Sequence, residues 1–560
     1  MFYLDTTTEL KTLLEKALEK TASENGAALP ENFAVRLERP RQEGHGDWAT
    51  NAAMQLAKPL GKNPRELAQQ IVSALEESSL VASAEVAGPG FINLRLSSDW
   101  IAGAVKTILA NGENFGRTND GRGEKVQLEF VSANPTGPLH MGHGRGAAVG
   151  DITARLLKFA GYDVTREYYV NDAGLQMELL GKSARARYFE ALGRAEDAPM
   201  PEDGYQGEYL ADIAKRYVEK YGDSLASKPE EEQLEFFTNE TAKIVIESIR
   251  KDLSDFGVDF DVWFSEKSLY TANAVPEALE SLKKAGYAYE QEQAVWFKST
   301  AFDDDKDRVL IRANGVPTYF MSDVAYLKNK YDRGFEKLIY VWGADHHGYI
   351  PRIRSVNTSL GHTDKQLEVL LIQMVNLLRD GKPVQMSKRA GTIVTLREIM
   401  DEVGRDATRF FFVMRKSDST LDFDLELAKK ASSENPVFYV QYAYARICSI
   451  YRELKERGAE LPDVSEFDAG KLSSANEIRL AKVISRMPEE ISKAAAELAP
   501  HRIAYYAQEI AESFHAFYNS SRILGAEEDV MKARLLLVEA ARIVLRSVLE
   551  ILGISAPEKM

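Results

Sequence analysis

Two histidines three positions apart, His140 and His143, bracket Met141-Gly142 directly after a proline-rich turn, Ser132-Ala133-Asn134-Pro135-Thr136-Gly137-Pro138. A helix that starts there presents free backbone N–H groups and the positive end of its dipole. Two imidazoles added to that end make a corner suited to an anion such as a phosphate. Gly142 has no Cβ and leaves room for a flat ring close to the backbone. A second cluster, Gln385-Met386-Ser387-Lys388-Arg389-Ala390-Gly391, sets two cations and a hydroxyl in a glycine-flanked loop. Such a loop is a cationic arm able to neutralise charge on a departing phosphate. Alone, each signal is weak, because HxxH also suits a metal or a plain surface and most basic loops are merely solvated. As a pair they point to phosphoryl chemistry.

The elements that must hold the histidine corner can be read around it. Val126–Val131 has the composition of a strand, a helix is expected from about His140 to Phe159, and Asp163–Val170 reads as a second strand. Strand, turn, helix and strand in this order make a βαβ unit and predict a parallel sheet. Leu338–Trp342 is strongly apolar and ends at Gly343-Ala344-Asp345-His346-His347, where a doubly wound sheet binds its ligands. Arg308–Ile311 reads as a further strand, and the charged stretch at about 195–300 as a mostly helical insertion.

The flanks differ in kind. Residues 1–118 mix helix and strand: Leu10, Leu13, Leu14, Ala17 and Leu18 recur at helical spacing, Asn63-Pro64 starts a helix, and Phe91–Leu96 alternates after a Gly88-Pro89-Gly90 turn. From 431 to 560 the pattern is helical, opening at Asn435-Pro436 and stopping at Gly553 and Pro557. The expected architecture is α/β: a doubly wound parallel-sheet (Rossmann-like) catalytic domain at 119–430, an α+β N-terminal domain at 1–118 and an all-α C-terminal bundle at 431–560.

Composition limits the remaining possibilities. A chain of 560 residues exceeds one hydrophobic core, and 44% apolar with 28% charged residues is ordinary globular composition. No apolar run is long enough to span a membrane, and the first twenty residues lack the basic and apolar regions of a secretory signal. The single cysteine, Cys448, excludes intramolecular disulfides and multi-cysteine zinc sites. A net charge of −15 argues against a protein that coats nucleic acid, yet leaves room for a selective RNA enzyme with local basic patches. A cytosolic enzyme is the expectation.

His140-Met141-Gly142-His143 and Met386-Ser387-Lys388-Arg389 resemble the paired signatures of class I aminoacyl-tRNA synthetases. The segments 128–143, 317–326, 435–447 and 552–560 narrow the resemblance to arginyl-tRNA synthetases, and 38–64 and 86–96 resemble that family's additional tRNA-binding domain. The resemblance implies an arginine–tRNA ligase that uses ATP and Mg²⁺, without a protein-bound structural metal, to form arginyl-adenylate and esterify the 3′-terminal adenosine of tRNA(Arg). It also implies a monomer that activates arginine only with tRNA bound.

Residue by residue, the resemblance makes His140, His143 and Lys388 catalytic. Gly142, Gly343, Asp345, Met386, Ser387 and Lys388 would bind ATP. Glu129, Asn134 and His140 would meet the amino-acid head group, Tyr319 and Asp323 would clamp the guanidinium, and His346 would lie near the substrate. Candidate tRNA contacts are Phe91 and Asn93 in the N-terminal domain, and Gln441 and Arg446 as exposed neighbours of a core aromatic group, Phe438, Tyr442 and Tyr444. One departure stands out: Gln385 replaces the first lysine of the second signature. Relatives that lack the second lysine carry another just before the histidine corner. Here Pro135–Pro138 contains none and Lys388 is present, so the loop's charge rests on Lys388.

A guanidinium cannot be deprotonated, so an arginine pocket requires fixed carboxylates. Lysine cannot reproduce the planar fork and would leave buried acceptors unpaired at about 1–3 kcal/mol each. Two rival readings are a class I synthetase for another amino acid and an inactive RNA-binding paralogue. The zinc-dependent cysteine enzyme is disfavoured by the single cysteine, and the paralogue by the intact HMGH and Lys388.

Overall fold

The computed structural model of the chain describes residues 2–40, 45–384 and 394–560. The N-terminal part joins helix Phe2–Glu24 to a three-stranded antiparallel sheet of β1 (Trp48–Thr50), β2 (Val81–Ala87) and β3 (Phe91–Leu96), ordered β1-β3-β2. Local chemistry starts its helices where the sequence predicts. Asn63 Oδ1 accepts the Arg65 N–H at 2.9 Å and Pro64 takes the first helical position of Pro64–Ala74.

The middle of the chain is built on a parallel sheet. It comprises β4 (Lys125–Glu129), β5 (Asp163–Val170) and β6 (Val262–Ser265) on one side. A separate antiparallel sheet, β7 (Ala288–Gln291), β8 (Ala294–Phe297) and β9 (Arg308–Ile311), follows before β10 (Lys337–Gly343) and β11 (Leu367–Ile372) complete the main sheet. The main order is β11-β10-β4-β5-β6, so the winding reverses between β4 and β10, and the crevice at their carboxyl ends is where such folds bind ligands.

Two expectations change here. Arg308–Ile311 is β9 of the small antiparallel sheet, not a strand of the main one. The stretch at about 195–300 is not one helical insertion, because β6 lies inside it and pairs with β5. The helices Leu175–Ala191, Glu208–Tyr221 and Glu230–Asp255 form the lobe between β5 and β6. A four-residue strand carries too little periodicity to stand out among charged helices.

The segment after β11 forms β12 (Val375–Arg379), β13 (Lys382–Pro383) and β14 (Leu421–Asp424), ordered β13-β12-β14. The C-terminal part is an all-α bundle including Pro436–Glu456, His501–Ser520 and Glu528–Leu552, the last ended by Gly553 at φ +65°. One apolar core runs through all three parts, and helix Ser98–Asn111 packs against Ala475–Ser485 and Glu528–Leu552. Buried Arg409 pins the junction, donating to Asp151 Oδ2 at 2.6 Å and to the carbonyls of Leu552 and Phe256 at 3.1 Å. No helix among the described residues is long and apolar enough to cross a membrane.

Candidate active site

His140 is the N-cap of helix Met141–Phe159, and its ring folds back over the first turn. Its Nδ1 accepts the N–H groups of Gly142 (3.1 Å) and His143 (3.4 Å), while His143 Nδ1 accepts the His140 N–H at 3.4 Å. The two rings stack at 3.7 Å. The N–H groups expected to be free for an anion are therefore capped by His140 itself. The flat ring lying against Gly142 is likewise that of His140: a Cβ on Gly142 would stand 3.0 Å from His140 Cε1. An Nδ1 that accepts carries no proton, which puts the proton of the neutral ring on Nε2.

The corner is tied to the segment that follows the second signature. His140 bridges Thr395, and Leu396 N–H donates to Leu139 O at 2.8 Å. Arg145, fully buried two residues after His143, donates to the carbonyls of Gln373, Ser419 and Lys416 at 2.8 Å each. Burial lowers its pKa to about 10. Three carbonyls from two separate segments thus lock the helix to both flanks of the signature loop, a role sequence spacing does not reveal.

Glu129 ends β4, and the chain then turns through Val131 and Ser132 at φ +68° and +38°, a strained conformation for non-glycine residues. That turn aims Ser132 Oγ at Glu129 Oε1, 3.2 Å away. Glu129 Oε2 accepts from buried Lys330 Nζ at 2.6 Å. Behind it, Arg333 forks onto Glu167 at 2.6 and 2.8 Å, and Tyr326 donates to the same carboxylate. Two cations therefore balance two acids at the back of the crevice.

Two more carboxylates face the same space without such balance. Half-buried Asp323, on helix Tyr319–Asp332, accepts from the Tyr349 hydroxyl. Burial, reinforced by Glu266 and Glu129 and opposed by the Tyr349 hydroxyl and Lys330, pushes its pKa up to about 7. Glu266 is 3% exposed and directly follows β6; hydroxyls of Tyr169 and Ser322 bond to it. Burial, with Asp172 nearby, also raises its pKa. Among the described residues no ion pair reaches either group. A monocation with several N–H donors would satisfy both. The sequence reading missed Glu266, Tyr349 and Lys330.

Tyr319, first residue of its helix, is 60% exposed and stands over the turn at Gly174, one helical turn from Asp323. Asn134 is exposed in the turn before the histidine corner. At the end of β10, a Cβ on Gly343 would collide with Asp345 Oδ1, so only glycine lets that carboxylate fold back. Asp345 and His346 are both solvent-facing, 3.6 Å apart. The His346 ring lies 6.1 Å from Trp342, which is equally near Tyr349. Met374, 74% exposed, follows β11 beside this edge. Gln385, Met386, Ser387 and Lys388 lie outside the described residues. No group of three or more His, Cys, Asp or Glu suited to a metal occurs among the described residues.

The expected RNA contacts divide. Gln441 is not exposed: it is 9% accessible and its amide donates to Asp406 at 2.9 Å and to Ser555 O at 3.0 Å, which makes it a clasp for the chain end. Asn93 is 8% exposed, enclosed in β3, whereas Phe91 is half-buried. Arg446 is half-exposed, its guanidinium 4.6 Å from the Tyr442 ring and 4.8 Å from Tyr518. Tyr444 is core, as expected, but Phe438 and Tyr442 are half-exposed and stack at 5.8 Å on the wall of a cleft of about 210 Å³ that also includes Arg446 and His515. Helical spacing shows which residues share a face, and a neighbouring helix covers only part of this one.

Residues 104–426 match the family model "tRNA synthetases class I (R), catalytic domain". Residues 8–96 match "Arginyl tRNA synthetase N terminal domain" and 440–560 "DALR anticodon binding domain". The chain is 51% identical to the arginine–tRNA ligase of Carboxydothermus hydrogenoformans over 95% of each chain. It is 52% identical to that of Syntrophotalea carbinolica, over 94% of this chain and 95% of the relative. The fold superposes on Thermus thermophilus arginyl-tRNA synthetase with a TM-score of 0.73 at 23% identity, covering 98% of this chain and all of that one.

Proposed function

The chain belongs to the arginyl-tRNA synthetases, and from that premise we propose that the Asp323–Glu266 crevice holds the guanidinium of arginine while the histidine corner and Lys388 serve its activation by ATP. The observation that carries this reading is the pair of carboxylates, buried Glu266 and half-buried Asp323, with which no cation forms an ion pair among the described residues. Arginine supplies the missing charge in a planar fork that matches carboxylates, which lysine cannot do. Tyr349 and Tyr319 flank the fork, and Glu129 with Asn134 receives the α-ammonium group.

The arginine carboxylate is already a nucleophile, so activation needs positioning rather than a general base. It attacks the α-phosphorus, the bond to the pyrophosphate oxygen breaks, and arginyl-adenylate forms. The Nε2–H groups of His140 and His143 and the ammonium of Lys388 donate to phosphate oxygens as charge builds on them. Mg²⁺, carried in by the triphosphate, would neutralise part of that charge. Gly343 and Asp345 hold the ribose, Gly142, Met386 and Ser387 the adenine side, and His346 the rim of the pocket. A ribose hydroxyl of the terminal adenosine of tRNA(Arg) then attacks the carbonyl carbon and AMP departs.

In this reading residues 1–118 grip the outer corner of tRNA, 119–430 carry the chemistry and 431–560 grip the anticodon region. The enzyme acts as a cytosolic monomer and activates arginine once tRNA is bound. Aminoacylation assayed with each of the twenty amino acids and total tRNA tests the reading; ester formation with an amino acid other than arginine would refute it.

Two smaller effects are expected. Gly142→Ala pushes the His140 ring by a few tenths of an ångström and loosens its hold on the Gly142 and His143 N–H groups, because the new methyl would stand 3.0 Å from that ring. Adenylate formation should fall about tenfold, or about 1.4 kcal/mol, with arginine affinity unchanged in equilibrium binding. Arg446→Ala removes a cation held between two rings at the bundle surface. It should weaken tRNA binding about fivefold and reduce the slope of log affinity against log salt by about one.

A further inference from the structure

Lys330 is 0% exposed, and the proposed chemistry gives it no contact with any substrate. Its Nζ lies 2.6 Å from Glu129 Oε2. The faces of Tyr340 and Tyr326 lie 3.8 Å and 4.2 Å from the same ammonium. Below it, Glu167 is neutralised by the Arg333 fork, so Lys330 has Glu129 as its one direct carboxylate partner among the described residues. Rings on two sides and the ion pair on the third leave the ammonium little freedom. An ammonium so confined dictates where the carboxylate in front of it points.

On the other side, Glu129 Oε1 is held by Ser132 Oγ at 3.2 Å, on the turn strained at Val131 and Ser132. The carboxylate is thus fixed from behind by a cation and from the side by a hydroxyl, at the carboxyl end of β4 where the winding of the sheet reverses. Desolvating a lysine is costly, and a buried ion pair seldom repays its cost in stability over an apolar replacement. Its presence here therefore calls for a role in placing Glu129.

We propose that Lys330 is a positioning residue that orients Glu129 toward the α-ammonium group of the amino-acid substrate, so that it governs recognition of the head group and not of the guanidinium. The inference rests on the reading of Glu129 as the partner of that ammonium. It assigns the two ends of the pocket to different groups. Lys330 and Glu129 read the α-amino end; Asp323 and Glu266 read the side-chain end.

A ligand that lacks only the α-amino group distinguishes the halves. Equilibrium binding of L-arginine and of 5-guanidinopentanoate, which keeps the guanidinium and the carboxylate, is measured on the full-length enzyme and on Lys330→Met, Glu129→Gln and the double variant. Lys330→Met should weaken L-arginine at least thirtyfold and 5-guanidinopentanoate less than threefold, with Glu129→Gln giving the same pattern. In the Glu129→Gln background, adding Lys330→Met should change L-arginine affinity less than threefold, because its route of action is already gone. Equal losses for both ligands in Lys330→Met, or a further tenfold loss in the double variant, would overturn the proposal. If Glu129→Gln leaves L-arginine affinity intact, the reading of Glu129 itself fails. Should Lys330→Met not fold, Lys330→Arg, which keeps the charge but places it differently, takes its place: a loss confined to L-arginine supports the proposal, and equal losses for both ligands, or none, overturn it.

Discussion

Asp323→Asn is expected to weaken arginine binding at least 100-fold while leaving the fold intact. An amide presents an N–H where the guanidinium needs an acceptor, so one charge-assisted contact is lost and a donor faces a donor. Losing such a buried contact costs about 3 kcal/mol, and about 1.4 kcal/mol corresponds to tenfold in affinity. The pH dependence provides a second readout. With a pKa of about 7, Asp323 is protonated in much of the substrate-free enzyme at neutral pH. Arginine selects the carboxylate and drives that proton off, so wild-type affinity should fall as the pH drops from 8 to 6. Asp323→Asn should flatten that part of the profile, leaving what Glu266, raised in the same direction, contributes.

Stability should move the opposite way. A carboxyl whose pKa is higher folded than unfolded holds a proton in the folded state that the unfolded chain has lost. Between the unfolded value and about 7, rising pH therefore removes stability. The amide introduced by Asp323→Asn carries no such penalty. The thermal midpoint of the variant should exceed that of the wild type at pH 8 and converge with it near pH 4. Near-normal arginine affinity in a folded variant would remove Asp323 from the pocket.

Lys388→Ala is expected to slow adenylate formation by 100-fold to 1,000-fold with little change in arginine binding. With Gln385 in place of the first lysine and none in Pro135–Pro138, no other lysine of the signature shares the charge. Losing a charge-assisted contact to a forming pyrophosphate costs roughly 3–4 kcal/mol in the transition state. Arg389 spreads its charge over a wider plane and should not substitute fully. Gln385→Lys in the same background should recover part of the rate. Thr395, two residues after the segment 385–393, bridges His140 at the histidine corner. Single-turnover adenylate formation in the single and double variants measures the effect. A loss below fivefold would mean that the charge comes from elsewhere.

The amino-acid sequence by itself determined whatever depends on near neighbours. Asn63-Pro64 and Asn435-Pro436 start helices because the side-chain acceptor and the missing N–H act within one turn. Gly553 ends the last helix because its φ of +65° suits glycine. The strand–turn–helix around His140 and the apolar β10 followed by Gly343 could be read in the same way, and with them the place of the crevice.

Only the tertiary structure decided which charges meet. Glu266, Asp323, Lys330 and Glu129 come from the end of a four-residue strand, one helix and a second strand, brought together by a strand order that does not follow the chain. No spacing rule links them, because charge compensation depends on distances across the sheet rather than along it. Burial likewise set aside Gln441 and Asn93 and left Phe438 and Tyr442 half-exposed. Periodicity marks a face, and the element packed against that face determines what remains open to a partner.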